Sequence, residues 1–305
     1  MLHQPLVSVI ITTFNRADKV GNCINSILEQ DYNNLEIIIV DDCSTDNTEE
    51  FIKSNFIKKV KYIRHHLNQG VNFASNTGFK HASGKYVAFI GDDDRWIDKK
   101  KLAEQVEIFE NDRLKKYGII TTDFNVVGKK NNYRKNIQKP KNLVKHILAG
   151  NGIISGTAAL LRSDIFKQAG MFSEELPKGT DSDVYRRIIL LGYDVYFIYK
   201  SMVECYWNND DRMSTLNETG INKSIIAHFY KLKTYNNLIN NYPSVKSDIY
   251  FQLALLYFKK YYICKSIHTK YLSKKYFKKS LISNPINFKS WFYIIKLYLG
   301  INNLN

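Results

Sequence analysis

The sequence predicts an α/β protein built on a mostly parallel sheet flanked by helices, with a helical region appended at its C-terminal end. Three observations carry this. Short Ile- and Val-rich runs alternate with amphipathic helical patterns through the first half of the chain, as successive βαβ units do. Each of the first four apolar runs ends in polar residues. After about residue 216 the strand patterns stop, and helical patterns rich in Lys, Tyr and Phe continue to the end.

Val7 to Thr12 reads as a buried strand, and Val20, Ile24, Ile27 and Leu28 share one face of a helix. Glu36 to Val40 is a second buried strand, and a helix follows Ser44, which suits its cap. Val60 to Arg64 is a third strand, Phe73 to Ala82 a helix, and Lys85 to Ile90 a fourth strand that runs into Gly91-Asp92-Asp93-Asp94. Leu102, Val106 and Phe109 at i, i+4, i+7 spacing predict a helix over Trp96 to Phe109, before a strand near Tyr117 to Thr122. Lys129 to Lys141 is polar and basic with one proline, hence a loop, and Ser155 to Arg162 resumes as a strand. Gly170 stops a helix over Asp164 to Ala169. Thr180 caps a helix whose Val184, Ile188 and Leu191 share a face, Gly192 ends it, and Asp194 to Tyr199 is a last strand.

A length of 305 residues suits one main domain, 1–216, with an appendage, 217–305. With 44% hydrophobic and 24% charged residues, the composition is that of an ordered globular protein rather than a disordered one. Cys23, Cys43, Cys205 and Cys264 have no metal-binding spacing, and there is no secretory signal or apolar run of the ~18 to 20 residues needed to span a bilayer. A cytoplasmic location is expected, with no transmembrane helix. The net charge of +15 is localised: residues 220–305 carry 14 Lys and no Arg against the single acid Asp248.

Ligands of open parallel sheets bind beyond the carboxyl ends of the strands. The polar ends Thr12-Thr13-Phe14-Asn15-Arg16, Asp41-Asp42-Cys43-Ser44 and Asp92-Asp93-Asp94 should therefore line one crevice. There is no GxGxxG after the first strand and no GxxxxGK[ST] loop, which disfavours dinucleotide-binding dehydrogenases and P-loop enzymes. Carboxylates stand at these strand ends instead. They approach a diphosphate only with a cation between them, commonly Mg²⁺ or Mn²⁺.

The segments VSVIITTFNR, EIIIVDDCSTDNT, SGKYVAFIGDDDRW followed by KLAEQ, and GTDSDVYRRIILLGYD, in this order, resemble family 2 glycosyltransferases of the GT-A fold over roughly residues 6 to 215. The resemblance implies an inverting, metal-dependent enzyme that takes a nucleotide-sugar donor, with a UDP-sugar suggested by Asp42. Thr12, Phe14, Asn15, Arg16, Asp41, Asp42 and Asp92 fall at nucleotide-binding positions, with Phe14 stacking on the base and Asp42 accepting from it. Asp93, assisted by Asp92, matches the metal ligand, and Asp94 and Trp96 support the turn. Asp181 matches the base that takes the acceptor's proton, and Asp183 is structural or orients the acceptor. Two departures stand out. Ser75 occupies a position where many relatives have arginine, leaving Arg16 or Lys80 to meet the diphosphate, and no histidine occurs between Tyr206 and Asn209.

His65 and His66 point to opposite sides of a strand and read as surface residues, and Cys43 as a small packing residue. Eleven Tyr and six Phe interleave with the lysines of the tail. The expected partner of 220–305 is an anionic membrane surface, placing a peripheral enzyme beside a glycan or lipid-linked acceptor, with nucleic acid the weaker alternative. A self-packed helical appendage with solvated lysines is the plainer one. Competing functions are a sugar-phosphate nucleotidyltransferase, against which stands the lack of glycine in Thr12 to Arg16, and a noncatalytic glycan or nucleic-acid binder.

Overall fold

The structure, a computed structural model, describes residues 4–128, 132–135, 138–150, 152–207 and 217–299; the boundary expected at 216 lies outside them. The chain divides into two compact units. The first comprises residues 1–139, 152–174 and 180–209, the second residues 140–151, 175–179 and 210–305.

In chain order the first unit opens with β1 (Val7–Thr13), α1 (Val20–Leu28), β2 (Leu35–Asp41), α2 (Thr48–Phe56), β3 (Lys61–Arg64), α3 (Val71–Lys80) and β4 (Tyr86–Gly91). It continues through β5 (Arg95–Trp96), α4 (Lys101–Asn111), β6 (Tyr117–Gly128) and β7 (Tyr133–Lys135). After α5 (Leu143–Ala149), which belongs to the second unit, come β8 (Leu160–Arg162), α6 (Ser163–Gln168), α7 (Thr180–Leu190) and β9 (Asp194–Trp207). One sheet has the order β3-β2-β1-β4-β8-β6-β9-β5, with β7 on β6.

β1 pairs in parallel with β2 on one side and β4 on the other, and Thr12 stands opposite both Val40 and Gly91. The three strands therefore end level. The chain steps outward from β1 to β2 and β3, then crosses back to β4, so the switch point lies between β1 and β4. Val9, Ile10, Ile11 and Ile37 to Val40 are at most 2% exposed, as continuous apolar runs must be in strands covered on both faces. Helix α3 lies directly on β1: a Cβ at Gly78 would come within 2.5 Å of Ile10 Cγ2.

Several expected elements are corrected. Trp96 is not in a helix; it pairs in β5 with Val203 of β9, and α4 begins only at Lys101, where the apolar period starts. Of the strand expected over Ser155 to Arg162 only β8 forms, because Ser155 to Ala159 closes into a turn through Ala158 N–H to Ser155 O (3.1 Å) and Ala159 N–H to Gly156 O (3.3 Å). β9 runs on to Trp207, held by β6 and β5. Leu191 is 44% exposed, since α7 stops at Leu190.

The second unit is helical among its described residues: α5, α8 (Glu218–Thr234), α9 (Asn236–Asn240), α10 (Pro243–Cys264), α11 (Ile267–Ser283) and α12 (Phe288–Leu299). Ile221, Phe251, Leu253, Phe258, Phe277 and Leu297 lie in its core. Tyr257 stacks on Tyr276, Phe277 stacks on Tyr293, and Lys279 lies over the Tyr250 and Tyr276 rings. Much of the aromatic content read from the tail is thus internal packing. None of the described helices is long and apolar enough to cross a membrane.

Candidate active site

The polar strand ends meet at the switch point, and each is built differently. Beyond β1, Phe14 is 43% exposed. Asn15 takes a positive φ of 53°, and its Oδ1 accepts from Thr45 N–H (2.7 Å) and Asp46 N–H (3.3 Å) while its own N–H donates to Ser44 Oγ (2.9 Å). Asn15 therefore ties the loop after β1 to the loop after β2. Arg16 anchors to Thr48 Oγ1 through its backbone N–H and brings its guanidinium within 4.0 Å of Asp93.

Asp41 and Asp42, at the end of β2, are both buried. Asp41 accepts from Ser44 N–H (2.7 Å) and the Tyr62 hydroxyl (2.6 Å). Asp42 accepts from Gln69 N–H (2.9 Å) and Gly70 N–H (2.7 Å), and faces His65 Nδ1 at 2.8 Å. His65 is thus no surface residue. It is 8% exposed and bridges Asp42 to Thr77 (3.1 Å), because a buried carboxylate recruits every donor in reach. Cys43 is half-buried at φ 73°, with Sγ 3.3 Å from His66 O, and so lies outside the tight packing expected of it.

The turn after β4 is built the opposite way. Burial raises Asp92 to about 6, with the like charge of Asp93 adding to it, while the Thr13 hydroxyl pulls part of the shift back. Burial also raises Asp94 to about 7, although Asp94 accepts from the Thr157 hydroxyl and from Tyr206 N–H (3.0 Å). The side chain of Asp93 is 34% exposed. Gly91 leaves room for this crowding, since a Cβ there would stand 3.2 Å from Asp93 Oδ1.

No group of three or more His, Cys, Asp or Glu among the described residues makes a closed metal cage. A cation shared with a nucleotide needs only one or two protein carboxylates, its other positions going to phosphate and water. Asp93 and Asp92, a crowded pair whose charge is only partly matched by Arg16, fit such an open site. Asp94 is committed to holding the turn.

Thr157 is the residue that sequence reasoning missed. Its hydroxyl donates to Asp94, and its carbonyl accepts from Trp96 Nε1 (3.0 Å). Trp96 is 4% exposed and lies under the buried Lys101, whose Nζ is 4.0 Å from the ring and donates to Gln105 Oε1 (2.9 Å). Gln105 in turn donates to Ala158 O (2.9 Å). The turn at 155–159 is therefore fixed from below, and a Cβ at its Gly156 would sit 3.8 Å from Asp181 Oδ2. One short turn thus holds the aspartate cluster and lies beside the expected base.

Asp181 opens α7, half-buried, with Oδ1 accepting from Ser182 N–H (2.7 Å). Burial holds its pKa above the ordinary carboxylate value, against the lowering by that N–H. Asp183 is fully buried and faces inward, accepting from Arg186 (3.0 Å) and Arg187 (3.0 Å), while Arg187 also donates to the Ala169 and Met171 carbonyls. Lys80 ends α3, at the pole of the sheet away from the strand ends, so of the two cations considered for the diphosphate only Arg16 is in place.

A mixed sheet, parallel through β3-β2-β1-β4 and antiparallel around β8, with a carboxylate turn at its switch point and a further carboxylate on a later helix, has the GT-A fold. Two solved structures share that fold. Residues 1–349 of TarS from S. aureus in complex with UDP-GlcNAc match with a TM-score of 0.68 at 15% identity, covering 98% of this chain and 93% of that one. The mannosyltransferase PcManGT from Pyrobaculum calidifontis in complex with GDP-Man and Mn²⁺ matches at 0.58 and 15% identity, covering 99% and 89%. The chain belongs to Glycosyl transferase family 2, whose profile matches residues 8–170.

Among curated relatives, an uncharacterized glycosyltransferase of Rickettsia conorii is 32% identical over 194 residues, 61% of this chain and 32% of the relative. The chain thus spans about a third of that protein's length. The Escherichia coli protein WfaP, a UDP-Glc:alpha-D-GlcNAc-diphosphoundecaprenol beta-1,3-glucosyltransferase, is 36% identical over 109 residues, 36% of this chain and 43% of WfaP.

Proposed function

We propose that this chain is an inverting, metal-dependent glycosyltransferase that moves a hexose from a nucleotide-diphosphate donor, by preference a UDP-sugar, to a hydroxyl of a glycan or lipid-linked oligosaccharide. The observation that carries this reading is the meeting of three unlike strand ends at the β1/β4 switch point. One end is open and aromatic (Phe14), one is held by several donors (Asp41, Asp42), and one is charge-crowded (Asp92, Asp93).

In this reading Phe14 stacks on the base, and Asp42 uses its remaining acceptor capacity toward the base N–H. Asp41, Asn15 and Thr12 shape the pocket wall. Arg16 meets the diphosphate, and Asp93 with Asp92 holds Mn²⁺ or Mg²⁺. A divalent cation supplies counter-charge as the diphosphate departs. Asp181 takes the proton of the acceptor hydroxyl as that oxygen attacks the anomeric carbon from the face opposite the diphosphate. A base with a raised pKa binds that proton more firmly than an ordinary carboxylate does.

The donor and acceptor that WfaP is named for support a UDP-sugar and a lipid-linked acceptor, and the Mn²⁺ of PcManGT supports the cation. A peripheral position on the cytoplasmic side of a membrane belongs to the same reading. The test is a thermal-shift screen of the purified protein against UDP-, GDP- and dTDP-sugars with Mn²⁺, Mg²⁺ or chelator, followed by a hydrolysis assay. Stabilisation by a nucleotide sugar only when metal is present is the expected result. Pyrophosphate release from a nucleoside triphosphate and a sugar phosphate would assign a nucleotidyltransferase instead.

A further inference from the structure

We infer that the α11–α12 corner of the second unit is a docking face for an anionic phospholipid surface, an inference that rests on the membrane-linked reading above and narrows it to particular residues. Helix α12 is apolar on two opposite sides. Ser290, Ile294 and Leu297 are at most 9% exposed and face the core, whereas Phe288 (76% exposed), Trp291 (50%), Phe292 (54%) and Ile295 (53%) recur at i, i+3, i+4, i+7 on the outside. The outer side of a helix on a soluble domain is ordinarily polar. Ile282 at the end of α11 and Ile286 in the turn that follows add to it, at 81% and 73% exposure. Trp291 donates its Nε1 to Pro285 O (3.2 Å), so the polar edge of the indole is satisfied within the protein while half the residue stays open.

The charge around this stripe selects its occupant. Residues 265–305 contain eight lysines and no acid, and Lys275, Lys278 and Lys289 are exposed. A second copy of the chain would bring an equally basic surface against it, and like charges oppose that contact. An anionic bilayer satisfies both features at once, because the aromatic side chains enter the headgroup boundary while the lysines meet the phosphates.

The experiment is flotation of the full chain with vesicles of phosphatidylcholine alone or mixed with phosphatidylglycerol, without any donor. The wild-type protein should float with the mixed vesicles and much less with phosphatidylcholine alone, and added salt should weaken the binding. Phe288→Ser/Trp291→Ser/Phe292→Ser should lower the partition about tenfold or more by removing buried apolar area at the surface. Lys275→Glu/Lys278→Glu/Lys289→Glu should lower it similarly, a second route in case the aromatic variant does not fold. Equal partition of the folded variants and wild type, no flotation of the wild type, or a dimer in solution that the aromatic variant abolishes would each overturn the inference. Asp181→Asn should float like wild type, so a failed catalytic reading and a failed docking face give different results.

Discussion

The ends of β2 and β4 carry similar residues to opposite purposes. After β2, Asp41 and Asp42 are met by Ser44 N–H, Tyr62, His65, Gln69 N–H and Gly70 N–H. After β4, Asp92 and Asp94 are pushed up by burial, and Asp93 has Arg16 no nearer than 4.0 Å. The carboxylates after β2 are held by protein donors and build structure. After β4 Asp94 likewise holds the turn, through Thr157 and Tyr206 N–H, and Asp92 and Asp93 are the pair proposed to receive a cation.

The largest expected effect lies on the third carboxylate. Asp181→Asn should reduce turnover by roughly 10² to 10⁴, the usual contribution of a general base, with donor affinity by calorimetry close to wild type. Because burial raises the pKa of Asp181 and the base must be ionised, the acid limb of the wild-type rate profile should lie above the ordinary carboxylate value of 3.8. Thr157→Val removes the hydroxyl that orients Asp94 and should weaken metal-dependent nucleotide binding by about 10- to 100-fold, whereas Thr157→Ser should restore most of it.

Stability should divide the two strand ends next. Asp42→Ala leaves the Gln69 and Gly70 N–H groups without their acceptor and should cost about 1 to 3 kcal/mol in denaturant unfolding. Asp93→Ala removes one of three crowded charges and should leave the metal-free protein as stable or slightly more so. A further effect is on pH. Folded Asp92 and Asp94 titrate at about 6 and about 7 against 3.8 for a free carboxylate, so the native state binds more protons than the unfolded chain in between. Metal-free stability should therefore fall as pH rises from about 4 through about 7 and stay lowered above that. Melting curves with and without Mn²⁺ across that range check both the slope and its relief by the cation.

The β1 to β4 half was legible because β1, β2 and β4 are continuous apolar runs ending in polar residues, a local pattern. Local patterning failed where pairing partners are distant. Trp96 is strand because Val203 lies beside it, and Ser155 to Ala159, a Ser-Gly-Thr-Ala-Ala stretch read as the start of a strand, closes into a turn instead. For the same reason the aspartate turn could be read but its support could not. Thr157 lies 63 residues from Asp94, and His65, just beyond β3, lies 23 residues from Asp42; neither contact leaves a spacing in the sequence. Asp183 was legible as an acid in a first helical turn, but its commitment to Arg186 and Arg187 required the packing of α7.

The central claim is that the turn after β4 holds the donor diphosphate through a cation. Titrating UDP-sugar into wild type and Asp93→Ala by calorimetry, with Mn²⁺ and with chelator, tests it directly. Tight binding should occur only for wild type with Mn²⁺, and Asp93→Ala should show the weak binding that wild type shows in chelator. Binding that is independent of metal and equal in the two proteins would contradict it.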